Sequence, residues 1–191
     1  MQILTGQKGD SKMDQILVLY KSKYGATKKY AAMLQKELSC EILDIKDFKK
    51  AVLTGYDCII FAGSIYANGI SGLNILRKYY SDFKGKKLAI FCVGTSPYDE
   101  KALEQIRLHN LKGDYKDIPL FYGRGAWDES SMSLKDRALC KMLQKMIAKQ
   151  DLDSYEPWMK VLLSASGKTC DWTDRTYLIP LLKYIRAKEE S

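Results

Sequence analysis

The chain is short of histidine and proline and has no long apolar run, and each shortage removes a class of function. A single histidine, His109, among 191 residues leaves no His-rich metal site and no choice of imidazole bases. The five cysteines, Cys40, Cys58, Cys92, Cys140 and Cys170, are odd in number and never form a C-x-x-C pair, so structural zinc, iron–sulfur ligation and a redox pair all lack their spacing. Three of them fall in apolar runs, where a free thiol serves as a small hydrophobe. With four prolines and no low-complexity tract, the chain reads as neither fibrous nor disordered. No stretch approaches the roughly 20 apolar residues of a bilayer span, and "MQILTGQKGDSKMDQ" has no apolar segment suited to a secretory signal. A cytoplasmic location is the expectation. The absence of G-x-G-x-x-G disfavours a dinucleotide site, and the absence of G-x-S-x-G disfavours a serine hydrolase. His109 lies in a helical stretch away from any strand end and reads as a helix residue.

What is present describes one ordinary domain with a real core: 46% of residues are hydrophobic and 28% charged. The net charge of +8 attracts anionic partners such as nucleic acid, acidic lipid or a carboxylated substrate. The lysines are spread over most of the chain, however, and a plain solvated surface accounts for them equally well. No interleaving of aromatic and basic residues builds a nucleic-acid platform, so nucleic acid is not an expected partner.

Residues 1–13 show neither strand nor helix period and read as a loose N-terminal extension, so a single domain is expected over 14–191. Short apolar runs at 15–20, 40–45, 56–64, 87–96 and 117–125 read as strands buried on both faces. Helical spacing separates most of them: Tyr30, Ala31, Leu34 and Leu38, then Leu73, Leu76, Arg77 and Tyr80, then the stretch 100–110. Strand and helix alternating at this interval predict an α/β fold with a doubly wound, five-stranded parallel sheet of order 2-1-3-4-5. An insertion at about 124–172 precedes the last helix, expected over 173–188, with an N-cap near Trp172 and Thr173 and a kink or break at Pro180. Inside the insertion, 134–150 carries an apolar stripe of Leu134, Ala138, Leu139, Met142, Leu143, Met146 and Ile147 opposite Lys141, Lys145 and Lys149. Such a helix either lies on an anionic membrane or packs on the edge of its own sheet.

In sheets of this kind ligands sit at the carboxyl ends of the strands, which directs attention to the loops 22–27, 64–69 and 94–98. In "SKYGAT", Ser22 and Thr27 can bond phosphate oxygens, Gly25 allows close approach of the backbone, and a helix N-terminus follows. The second and third loops, "GSIYANGISG" and "GTSPY", offer small residues, hydroxyls and the aromatics Tyr66 and Tyr98, suited to a flat ring. Each loop alone also reads as a simple turn. With no cluster of acid, base and nucleophile, a bound redox cofactor would carry any reaction.

These three loops, in this order, resemble the flavodoxin-like family over about Gln15 to Lys188. "SKYGAT" is similar to that family's hydroxyl-x-x-glycine-x-hydroxyl loop for the phosphate of FMN, and "GSIYANG" and "VGTSPY" stand where its two ring-binding loops do. The resemblance implies FMN as cofactor. It assigns Ser22, Lys23, Tyr24, Gly25, Ala26 and Thr27 to the phosphate, and Ser64, Ile65, Tyr66, Ala67, Asn68, Gly69, Gly94, Thr95 and Ser96 to the ring. Within the family the chain looks most like the menaquinone-dependent protoporphyrinogen oxidases, on "AGSI" at 62–65 and "SASGKTCDWTD" at 164–174. That implies an oxidoreductase with a quinone acceptor, a redox partner or small-molecule substrate, and peripheral membrane contact through the basic insertion. It departs from the family pattern at Tyr24, in place of a hydroxyl or acid, and at Tyr66, where the oxidases carry a basic residue. Two alternatives stay open: a small electron carrier and a flavin-free binding module.

Overall fold

The computed structural model describes residues 15–187; the expected extension at 1–13 lies outside them. The first strand, β1 (Ile16–Lys21), is apolar up to its last residue because both its faces are covered there: Leu17, Val18 and Leu19 are fully buried. Helix α1 (Ala26–Leu38) follows after a four-residue turn, and Tyr30, Ala31 and Leu34 recur on its inward face. It ends at Ser39, whose left-handed φ of 48° stops the helix, and leads into β2 (Glu41–Asp44). Two 3-10 turns, 45–47 and 50–55, connect β2 to β3 (Cys58–Tyr66) without an α-helix, as the polar and basic sequence there predicts.

The chain then turns back through the two-residue strand β4 (Gly69–Ile70) into the short helix α2 (Leu73–Lys78). Strand β5 (Lys87–Gly94), helix α3 (Glu100–Asn110) and strand β6 (Leu120–Arg124) complete the rhythm. The parallel strands lie in the order β2-β1-β3-β5-β6, and β4 pairs antiparallel with the end of β3. Leaving that hairpin strand out of the count, this is the expected order 2-1-3-4-5.

Alternation along each strand divides the core into two layers. Val18, Tyr20, Ile60, Ala62 and Phe91 face α1 and the last helix, while Leu17, Leu19, Ile59, Phe61 and Ile90 face α2, α3 and Phe83. Tyr30 binds the first layer to the end of the sheet: its buried hydroxyl donates to the Arg124 carbonyl (2.6 Å) and accepts from the Asp174 N–H (3.2 Å). Burial pushes that phenol up to about 12.

The insertion begins with β7 (Ala126–Asp128) and closes with β8 (Thr169–Asp171), which pair antiparallel as a separate two-stranded ribbon. Between them lie α4 (Leu134–Ile147) and α5 (Pro157–Ser164). Trp127, Ile147, Leu162 and Ala165 form a third, smaller core. The expected apolar stripe of α4 divides in an unforeseen way. Its inward row is Asp136, Cys140, Leu143 and Ile147, spaced i, i+4, i+7, i+11 and turned toward the site, α5 and the ribbon, so packing on the edge of the main sheet is not what covers it. Leu134, Leu139, Met142 and Met146 face outward, with exposures of 82, 36, 51 and 55%.

The last helix, α6 (Ile179–Arg186), is shorter than the sequence predicts. A 3-10 turn at 175–178 precedes it, capped by the Asp174 carboxylate accepting from the Thr176 N–H, not by Trp172 or Thr173. Pro180 falls in the first turn of α6, where the missing N–H has no intrahelical partner to lose, and it therefore neither kinks nor breaks the helix.

Candidate functional site

Three strand ends and the insertion converge on one cavity of about 370 Å³ at the carboxyl edge of the sheet. The first wall is the turn between β1 and α1. Ser22 Oγ accepts the Gly25 N–H at 3.1 Å, and Gly25 takes a φ of 92°, a region open to glycine at little steric cost. Helix α1 has no acidic residue in its first turn and no side-chain cap, so its positive end is left uncompensated. Thr27 is 1% exposed and its Oγ1 has no hydrogen-bond partner among the described residues. A buried hydroxyl is normally paired. An orphan hydroxyl beside an uncapped helix N-terminus fits an anionic ligand such as a phosphate group.

The second wall is the end of β3 and its hairpin. Ala67 (φ 46°) and Asn68 (φ 63°) are both left-handed, the requirement of a two-residue type I′ turn. The turn is held from behind by Asn110 of α3, 3% exposed, which accepts the Ile70 N–H (2.8 Å) and donates to the carbonyls of Asn68 (2.6 Å) and Ile106 (2.8 Å). At Gly63 a Cβ would stand 2.1 Å from the Ser71 carbonyl oxygen, so no side chain fits where the hairpin returns against its strand.

The third wall, after β5, is fixed through β6. The Thr95 carbonyl accepts from Arg124 Nε (3.0 Å), the Ser96 carbonyl from the Tyr122 hydroxyl (2.5 Å), and the Gly94 carbonyl from the Gly125 N–H (2.6 Å). Burial pushes the Tyr122 phenol well above its ordinary range, so it stays a donor. The Arg124 guanidinium lies 4.1 Å from the ring centroid of Trp172.

The insertion supplies a fourth wall that the sequence does not announce: Gly125, Ala126, Trp127, Met132, Asp136 and Cys140 line the cavity. Trp127 Nε1 is buried without a hydrogen-bond partner among the described residues. The Asp136 carboxylate, its side chain 7% exposed, accepts from Lys23 Nζ and the Tyr24 hydroxyl and, at 3.3 Å, from the Tyr66 hydroxyl. Lys23 Nζ also stands 5.4 Å from the centroid of the Tyr24 ring and 5.2 Å from that of Tyr66. The Lys23 ammonium, and after it the Tyr24 hydroxyl, hold the Asp136 carboxyl down to about 2, and the Asp136 carboxylate in turn raises Lys23.

Of the residues expected from the sequence, Ser22, Lys23, Tyr24, Ala26, Thr27, Ser64, Ile65, Tyr66, Gly94 and Thr95 line the cavity. Gly25, Ala67, Asn68, Gly69 and Ser96 belong to the same three loops but are not part of the lining. Ser71, Val93 and the insertion's residues were not expected. One signal for Asp136 was present: an acid heading an otherwise apolar i, i+4, i+7 row. His109 is exposed on α3 and has no place in the lining.

The profile of the flavodoxin domain family matches residues 17–154. No curated protein matches the chain. Among solved structures it is similar to the Trp repressor binding protein of Bacillus subtilis, at 18% identity and a TM-score of 0.43, over 58% of this chain and 84% of that one. It is similar also to the WrbA-like flavodoxin of Agrobacterium tumefaciens, at 20% and 0.41, over 65% and 88%. For the two-electron reduced flavodoxin of Megasphaera elsdenii the values are 13% and 0.40, over 56% and 82%.

Proposed function

Because the chain belongs to the flavodoxin domain family, whose cofactor is FMN, we propose that it is an FMN-dependent oxidoreductase acting at the carboxyl edge of its sheet. The observation that carries this reading is the orphan Thr27 Oγ1 beside the uncapped N-terminus of α1. Ser22, Thr27 and the free N–H groups of that turn would hold the phosphate, and the loops after β3 and β5 would hold the ring. Bound there, FMN supplies one- and two-electron transfer at its ring system. The protein's own part is to bind, orient and exclude water. Asn110 and Tyr122 fix the two ring loops from behind, and the insertion covers the cavity with Trp127, Met132 and Cys140.

That fourth wall favours an enzyme over a bare electron carrier, since it gives the cavity a side of its own for a small substrate. Porphyrinogen oxidation with a quinone acceptor is the specific activity we propose to test first. The outward strip Leu139, Met142 and Met146, bordered by Lys135, Lys145 and Lys149, has the chemistry of a helix lying on an anionic bilayer, and membrane contact through α4 is part of the same proposal. Its check is co-sedimentation with phosphatidylglycerol vesicles, lost at high salt and absent with phosphatidylcholine.

The first measurement is the visible absorption spectrum of the protein as purified, with the mass of any released chromophore. Flavin bands and released FMN are the expected result. A colourless protein that shows no binding of added FMN would remove the cofactor and leave a flavin-free binding module.

A further inference from the structure

Buried polar side chains are few among the described residues, and Asp136 is the charged one: Thr27 and Asn110 are its neutral counterparts. A carboxylate with so little access to water persists only where cations and donors compensate it. Those donors come from the cofactor loops. Lys23 and Tyr24 belong to the turn after β1, Tyr66 to the end of β3, and all three face a residue more than sixty positions away in the sequence. From the insertion itself Asp136 has Ser133, whose Oγ accepts the Asp136 N–H in the cap and whose side chain adds to the lowering of the carboxyl after Lys23 and Tyr24.

The carboxylate therefore stands as an anion at the loop read here as the phosphate site, and it lines the same cavity as Ser22, Lys23, Tyr24 and Thr27. A ligand phosphate entering that loop meets a lysine already neutralised and a fixed negative charge beside it. Two anions contend for one ammonium and one phenol.

Resting on the FMN reading above, we propose that Asp136 is a specificity-determining residue: an internal anion that competes with the ligand phosphate for Lys23 and Tyr24, and so sets how strongly the site prefers FMN to riboflavin. The turn after β1 then recognises phosphate through its backbone N–H groups, Ser22 and Thr27, while Lys23 is withheld by α4. Freed of Asp136, the lysine becomes a charged phosphate donor.

The test is the affinity of the full-length apoprotein for FMN and for riboflavin, each followed by quenching of flavin fluorescence, in wild type and three variants. Asp136→Asn keeps size and shape and should raise the riboflavin-to-FMN ratio of dissociation constants about tenfold, the scale of one hydrogen bond to a charged group, through tighter FMN binding alone. Lys23→Met, at a half-exposed side chain, should lower the ratio by leaving the carboxylate without its cation beside the phosphate. The double variant should fall between them, showing that the two side chains act on the phosphate through each other. An Asp136→Asn protein that binds both flavins more weakly in equal proportion would make Asp136 a structural anchor and overturn the proposal. A ratio unchanged in every variant would overturn it too, while leaving flavin binding intact. Wild-type protein that binds neither flavin would remove the FMN reading and this proposal together.

Discussion

At the scale of single residues, the hydroxyl of Thr27 is the most informative group. It is buried and unpaired, which costs the ligand-free protein stability, and a ligand oxygen would repay it. Stability and affinity should therefore move in opposite directions when it is removed. Thr27→Val is expected to leave the melting temperature of the apoprotein unchanged or raised, while weakening FMN binding about tenfold or more. Thermal unfolding and a flavin titration on the same sample check both signs. Asn110 behaves differently, because its three hydrogen bonds are all satisfied within the fold. Asn110→Ala strands the Ile70 N–H and the Asn68 carbonyl, costs about 1–3 kcal/mol, and should lower the melting temperature by about 5 °C. Its effect on the ring loop is indirect, through loosening of the Ala67–Asn68 turn. Thr27 was legible in the sequence from its place after a strand and a glycine. Asn110 was not, since it looks like any other residue ending a polar helix and two of its three partners lie about forty positions back.

Among the elements, those with many equivalent contacts were the easiest to read. The five apolar runs read as strands of a covered sheet, and their alternation with helices points to its order. Short elements held by remote partners are invisible: β7 and β8 are three residues each, too short for their alternation to stand out, and meet across about forty residues. The start of α6 is hidden because a proline within an apolar helical run reads as a breaker, whereas Pro180 sits in a first turn. The ribbon strand β8 is joined to α1 by Lys29 and Asp171, and these side chains hold the Asp171 carboxyl down to about 2, Lys29 first and Thr173 after it. A carboxyl depressed below its unfolded value of about 4 stabilises the fold above that value and loses the contribution as pH falls toward 2. Stability should therefore be flat in pH from neutrality to about 5 and fall between about 4 and 2. Asp171→Asn should make that fall shallower, as urea unfolding across the range would reveal. Both partners are about half exposed, so the effect is also reduced by salt.

For the molecule as a whole, the cysteines report which surfaces are closed. Cys40, Cys58 and Cys92 are buried, while Cys140 and Cys170 are half-buried. Burial pushes the Cys40 thiol up to about 11 and the Cys92 thiol up to about 12, and raises Cys140 as well. Mild alkylation of the native protein should add two labels, with Cys140 the slower of the pair. Because Cys140 lines the cavity and Cys170 does not, added FMN should protect the first and leave the second unchanged, which peptide mass mapping would resolve. Labelling of both at equal rates with and without FMN would place the flavin away from the insertion's wall.

The pairing of β7 with β8 means that the chain leaves the sheet and returns to it at neighbouring points. Residues 129–168 are in that sense a module strung between two adjacent ends, meeting the rest of the fold again through Ser133 and Asp136 at the turns after β1 and β3. Because the strand pairing holds the two ends together, the length and content of what lies between are free to vary at little entropic penalty, each doubling costing only about 0.6 kcal/mol. One scaffold can in this way carry different covers over the same strand ends, and the lining of the cavity can change by exchange of a cassette while the five strands beneath it stay as they are.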